Sequence, residues 1–186
     1  MPMPRSIGAV ELSSIGVGYQ VQDAVLKAAS VQVLIARTIC SGKYFLVFGG
    51  PVSDVNSGVQ AALEAAGEAI IDHLLLPNVH EGVFPALGQS VVLEPKEAEA
   101  LGVIETFSGV SILAACDAAA KAAKVKLFRI HVAMALGGKG LGLMAGTLAD
   151  CRAAVSAGAQ EARDRGLLVS EVVIPNASRE LFSEYL

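Results

Sequence analysis

Apolar residues recur along this chain with a strand period in some stretches and a helix period in others, and the two alternate in the same order twice. In the first half an apolar run, IGAVEL, reads as a strand. It passes into a stretch in which Val17, Val21, Ala24 and Ala28 share one helical face. A second strand (VQVLIART), a glycine turn and a third strand (KYFLVFGG) follow, then a helix with Val55, Val59, Ala62 and Ala66 on one side. A last strand (IDHLLL) leads through Pro77 to a short terminal helix, for which Asn78 is the expected cap. The second half repeats the series and ends on LVSEVVI, with Asn176 as the matching cap. Strand–helix–strand–strand–helix–strand is the order of a ferredoxin-like α+β domain.

The repetition is literal. Residues 7–31 laid over 101–125 without a gap agree at nine of 25 positions, among them Gly8/Gly102, Glu11/Glu105, Ser14/Ser108, Asp23/Asp117 and Lys27/Lys121. After a two-residue insertion in the second half, SGKYFLVFGGPVSDV pairs with GGKGLGLMAGTLADC, and farther on LPNVHEGVF pairs with IPNASRELF. The chain is therefore expected to hold two tandem domains, 6–87 and 100–186, joined by a polar linker, 88–99. Duplication also predicts pseudo-symmetry, with each chain supplying two wedges of a ring.

Composition narrows the classes. A net charge of −4 offers no basic stripe for a phosphate backbone, so no nucleic-acid partner is expected. Hydrophobic residues make up 53% of the chain and the mean hydropathy is +0.56. Alanine richness explains this as well as a perimeter buried against other subunits does. No apolar run reaches the roughly 18–20 residues that span a bilayer, and the most apolar region, HVAMALGGKGLGLMAG, is broken by Lys139 and rich in glycine. No membrane partner is expected. The N-terminal MPMPRSIGAVE has no apolar signal core, and three cysteines without a pairing pattern suit a reducing compartment, so the expected location is cytoplasmic.

Most candidate motifs fail on chemistry. GVGYQV at 16–21 has Val21 where a dinucleotide fingerprint needs its third glycine, and reads instead as a core turn. GGKG at 137–140 has Ala133 in place of the first phosphate-loop glycine and Gly140 in place of the magnesium-binding hydroxyl. His73, His80 and His131 accompany no metal-ligand spacing, and no serine sits in a nucleophile elbow. Glu11 and Glu105 are repeat-related and read as structural. No enzyme is expected.

The cysteines divide. Cys151, aligned with Val55, reads as a core filler, and Cys116, in an alanine-rich helix, as a structural thiol packed at an edge. Cys40 lies in the glycine turn between Arg37 and Lys43, whose cations favour the thiolate. Three readings stay open for it: an inert loop thiol, a reactive nucleophile, or one part of a metal site. One cysteine cannot hold an iron–sulfur cluster, but three on a threefold axis, with one exogenous ligand, hold a [4Fe–4S] centre. The matching second turn, MALGGKG, has no cysteine, so such a ring would carry three thiolates.

Four features recur at matched positions: GxxE on the first strand (GAVE, GVIE), DAxxKAA at the helix end (DAVLKAA, DAAAKAA), the GK turn, and the GxxxDV-type helix entry (GPVSDV, GTLADC). With these, each copy resembles a bacterial microcompartment shell domain, and the resemblance spans nearly the whole chain. The element order is that of the non-permuted tandem type. TICSGKYFLVFGG is similar to the loop of T-type members from propanediol-utilisation compartments, with Ser41 where proline is expected, a departure expected to loosen the turn. The resemblance implies a homotrimer, pseudohexagonal, in the shell of a compartment within the cytoplasm. It implies a central pore lined by Ile39, Ser41, Gly42, Leu136, Gly137 and Gly138, with Cys40 of three chains ligating a [4Fe–4S] cluster for electron or iron–sulfur transfer. Lys27 and Lys121 are implied as tile-edge lysines that meet other shell proteins edge to edge, and encapsulated redox enzymes are implied as further partners. The rival expectations are a tile with an open metabolite pore and a regulatory trimer that binds a small ligand.

Overall fold

The computed structural model describes residues 5–97, 99–132 and 136–183. Among the described residues eight strands and five α-helices run in the order β1 (Ser6–Leu12), α1 (Ile15–Ala28), β2 (Gln32–Ile39), β3 (Lys43–Gly50), α2 (Val52–Ala66), β4 (Ile70–Leu76), α3 (Val83–Leu87), β5 (Ala100–Thr106), α4 (Gly109–Ala122), β6 (Lys126–Val132), β7 (Gly140–Gly146), α5 (Leu148–Asp164) and β8 (Leu168–Ile174). They form two four-stranded antiparallel sheets, β2-β3-β1-β4 and β6-β7-β5-β8, the ferredoxin-like α+β arrangement that the periodicity predicts. Even the irregularities repeat, since the register slips between Glu11 and Leu12 in one sheet and between Glu105 and Thr106 in the other. Among the described residues no helix is long and apolar enough to cross a membrane.

Local chemistry sets the helix starts. Ser14 Oγ accepts the N–H of Val17, and its repeat mate Ser108 accepts those of Val110 and Ser111, both at 3.0 Å. In each sheet the glycine of GxxE makes room for a large side chain. A Cβ at Gly8 would sit 2.6 Å from the Phe48 ring, and one at Gly102 would sit 2.7 Å from Met144 Cγ. The first unit's core is then Val10, Leu12, Val21, Val25, Tyr44, Leu46, Phe48, Val55 and Val59 between sheet and helices.

The two Asn residues do not cap helices. Asn78 and Asn176 have φ of 51° and 46°, left-handed values that the short Asn side chain tolerates, and they turn the chain out of β4 and β8. The residues that precede the terminal helical turns are Gly82 and Ser178. GVGYQV is not a turn either: Gly16 and Gly18 lie within α1, where a Cβ at Gly18 would stand 2.2 Å from Tyr44 Cγ.

The compact units divide between Val79 and His80, with residues 136–138 grouping with the first. The sequence repeat puts its break after residue 87, and the segment in question, 80–87, places α3 against β6 and α4. The expected second domain and linker run through Ala98 and residues 184–186, which lie outside the described residues.

Candidate functional site: the two glycine turns

The turn between β2 and β3 leaves Ile39 in extended backbone, makes a 3-10 turn over Cys40–Gly42, and reverses through Ser41 and Gly42 at φ of 67° and 71°. The turn entering β7 is built alike, with Gly137 and Gly138 at φ of 63° and 89°. These residues align in the repeat, which also sets Leu136 opposite Cys40. Ala133, Met134 and Ala135, the first of them central to rejecting a phosphate loop, lie outside the described residues.

Ser41 explains the missing proline. Proline fixes φ near −65°, and this turn needs φ of 67° there, so the serine departure belongs to a backbone that excludes proline. Cys40 and Leu136 are partly exposed, and Ser41, Gly42 and Gly137 are exposed, whereas Ile39 and Gly138 are buried within the chain. The structure brings the foot of one turn to the other: a Cβ at Gly138 would lie 3.4 Å from Lys43 Nζ.

Two of the repeated motifs are the halves of one ion pair. Lys43 Nζ donates to Glu11 Oε1 at 2.9 Å, and Lys139 Nζ to Glu105 Oε1 at 2.9 Å, so the lysine of GK closes on the glutamate of GxxE in both copies. The Glu11 side chain is fully buried, while that of Glu105 is 30% exposed and also accepts from Ser170 Oγ at 3.0 Å. The Lys139 hydrogen bond, with help from Ser170, holds the Glu105 carboxyl below the ordinary carboxylate value. Each pair ties the foot of a glycine turn to the end of the central strand. Lys43 therefore does not offer Cys40 an uncompensated cation, because Glu11 opposes its charge.

The other thiols are unsuited to ligation. Cys116 is fully buried, not at an edge: a Cβ at Gly142 would lie 2.4 Å from its Sγ, so the sulfur sits in the slot this glycine opens. Burial, with Asp117 beside it, pushes its pKa up to about 12. Cys151, buried on the apolar face of α5, donates to Ala100 O at 3.5 Å and is pushed up to about 11, mainly by burial. Both are therefore held as neutral thiols near pH 7 in the free protein. Among the described residues no three His, Cys, Asp or Glu side chains of one chain gather to hold a metal ion. Of the three thiols, Cys40 is the one that is partly exposed.

Lys27 and Lys121 pair with the aspartates four residues before them, Lys27 to Asp23 Oδ2 and Lys121 to Asp117 Oδ2, both at 2.6 Å. One buried carboxylate escaped sequence reasoning. Asp117 is buried, and its Oδ1 accepts the backbone N–H of His80 at 2.8 Å. Its signal was present in the doubled DAxxKAA motif, where the aspartate is as constant as the lysine.

Comparison with known proteins agrees with this architecture. Residues 6–79 and 100–177 each match the BMC domain family. The chain is 37% identical over 182 residues to the bacterial microcompartment shell protein PduT of Citrobacter freundii, covering 98% of both chains. It is 45% identical over 83 residues to the bacterial microcompartment shell protein EutM of Escherichia coli (strain K12), covering 45% of this chain and 84% of that one. A crystal structure of a microcompartments protein from Desulfitobacterium hafniense DCB superposes with a TM-score of 0.87 at 41% identity, covering 96% of this chain and 98% of the other.

Proposed function

Because the chain belongs to the BMC domain family and is a structural shell protein of a bacterial microcompartment, we propose that three copies close into a pseudohexameric ring around a central pore, and that Cys40 of each chain ligates one [4Fe–4S] cluster there. The observation that carries this reading is the mismatch between two otherwise equivalent turns. Their backbones agree, yet one presents Cys40 and the other Leu136, so a ring of six turns alternates thiol and alkyl and gathers three thiols. Three thiolates fit a cluster that keeps one iron open to another ligand. The exclusion of Cys116 and Cys151 by burial leaves Cys40 as the ligand.

Bound there, the cluster would supply one-electron chemistry, and the tile would pass electrons or iron–sulfur units between the two sides of the shell, encapsulated redox enzymes being the partners this implies. The turn residues do the positioning: the left-handed pair at Ser41 and Gly42 keeps the chain reversal small, and the Lys43–Glu11 pair anchors the turn to β1. Lys27 and Lys121 are assigned to tile edges, where each meets another shell protein while its aspartate orients it.

The test is iron and acid-labile sulfide per trimer on protein purified without oxygen, with electron paramagnetic resonance before and after dithionite. About four irons per trimer, lost in Cys40→Ser, is the expected result. An iron-free anaerobic trimer would overturn the cluster and leave a shell tile with an open metabolite pore. A trimer that binds a metabolite and never forms sheets would overturn the shell reading.

A further inference from the structure

A groove runs between helix α5 and strand β8. Arg152, Val155 and Ser156 form one wall, at helical spacing, and Glu171 and Val173 form the other, around a volume of about 260 Å³. The register fixes which side chains face it. Val173 stands opposite Gly102, and a Cβ at Gly102 would lie 2.8 Å from Val155 Cγ2, so this face of β8 looks onto α5.

β8 is an edge strand. It pairs with β5 on one side, and among the described residues no strand takes its other side. Seven residues long, LVSEVVI, it has none of the lysines or prolines that blunt a free edge. Its one charge is already matched, because Glu171 accepts a hydrogen bond from Arg163 of α5. Arg152 is exposed, and among the described residues no carboxylate pairs with it. The helical rise sets Arg152 about 16 Å along α5 from Arg163, the length of about five residues of extended chain.

The two copies show that this groove stays open where another helix face closes. Helix α4 buries eleven residues, and its mate α1 buries three. Helix α5 instead buries the stripe that α2 buries: Cys151, Ala154, Val155, Gly158 and Ala162 are the mates of Val55, Gly58, Val59, Ala62 and Ala66. The surroundings that separate α4 from α1 therefore leave the outer side of α5 free. The chemistry of the groove belongs to the second copy alone, since Asn56, Gln60 and His73 stand at the places of Arg152, Ser156 and Glu171.

We propose that this groove docks an extended segment of a partner protein, which adds to β8 as a further strand, sets apolar side chains between Val155 and Val173, and places an acidic side chain on Arg152. A free edge takes a peptide in this way, with main-chain bonds giving affinity and alternate side chains giving choice. The volume favours such a segment over a free metabolite, because pockets that enclose small molecules run to about 300–1,000 Å³. The unmatched guanidinium selects a carboxylate, which it grips with two parallel hydrogen bonds. The site is separate from the Cys40 turn and needs no cluster there.

The test uses the full chain and two dye-labelled heptapeptides, Thr-Val-Thr-Val-Thr-Glu-Thr and its reverse, one for each strand direction. Fluorescence anisotropy should show saturable binding of one of them. Arg152→Glu should weaken that binding roughly tenfold or more, and exchanging the peptide's glutamate for lysine should restore binding to this variant. Methylating the backbone nitrogens of one alternate set of peptide residues should abolish binding, whereas methylating the other set should not, because only one set faces β8. No binding of either peptide up to millimolar concentration would overturn the proposal. Binding that is indifferent to Arg152→Glu, or to methylation of both sets, would overturn it as well.

Discussion

The two copies share a backbone and disagree about which side of each contact is large. In the first, Tyr44 on β3 lies over Gly18 of α1. In the second, the mate of Tyr44 is Gly140 and the mate of Gly18 is Ile112, and a Cβ at Gly140 would come within 2.5 Å of that isoleucine. One step along, Gln22 and Leu46 in the first copy become Cys116 and Gly142 in the second. In the first of these exchanges volume crossed from strand to helix, and in the second the Cys116 sulfur sits in the slot that Gly142 opens, so the space stayed filled, as close packing of interiors requires. The ion pair beside these positions did not drift, since Lys–Glu recurs at 2.9 Å in both copies. Packing can be traded between neighbours; a buried charge keeps its partner.

The largest difference between the copies is expected at that ion pair. Lys43→Met takes the cation away from Glu11, whose side chain has no exposure, and should cost about 3 kcal/mol or more by urea denaturation. Lys139→Met leaves Glu105 with Ser170 and with 30% of its side chain in water, and should cost about 1 kcal/mol. Equal losses would show that burial does not distinguish the two pairs.

Packing ranks next. Gly140→Tyr drives a ring into Ile112 and should cost about 3 kcal/mol. Adding Ile112→Gly copies the first-copy arrangement and should recover part of that loss, though glycine inside α4 itself costs about 1 kcal/mol. A double variant no more stable than the single would show that the swap is not a property of these two positions alone.

A smaller effect is expected with pH. The folded carboxyl of Glu105 lies below its ordinary value of 4.5, chiefly through the Lys139 hydrogen bond. The unfolded chain therefore takes up the proton first as pH falls, and the stabilisation present above 4.5 is lost through the folded value. Glu105→Gln should flatten the denaturation midpoint against pH on the acid side of 4.5, leaving it otherwise sloped by the remaining carboxylates. An unchanged slope would exclude Glu105 as a contributor to acid sensitivity.

Sequence periodicity and self-similarity carried the fold, because strands and helices of one length recur with their apolar faces in phase. They did not join GxxE to GK, since Glu11 and Lys43 stand 32 residues apart and meet only through the register that sets Glu11 opposite Phe45. Asn78 and Asn176 misled for a local reason: a residue that caps helices also tolerates left-handed backbone, and the sequence does not say which use is made of it. Gly18 looked like a turn because the tyrosine that requires it comes 26 positions later. The candidate turn was visible as a turn with a thiol; its left-handed serine was not. The burial of Asp117 depends on segment 80–87, which no spacing within its own helix reveals.

The smallest expected effect lies in the turns, and it tests whether their likeness is energetic as well as geometric. Ser41 holds φ of 67° with a side chain present, where its mate Gly137 holds 63° without one. A left-handed residue with a Cβ costs about 1–2 kcal/mol, and glycine loses more entropy on folding, which offsets about half. Ser41→Gly should therefore stabilise the chain by about 0.5 kcal/mol, and Gly137→Ala should destabilise it by a similar amount. Opposite signs of similar size would establish that both turns carry the same strain and differ only in who bears it. A loss of stability in Ser41→Gly would mean that the serine hydroxyl, and not the backbone, is what the Cys40 turn requires.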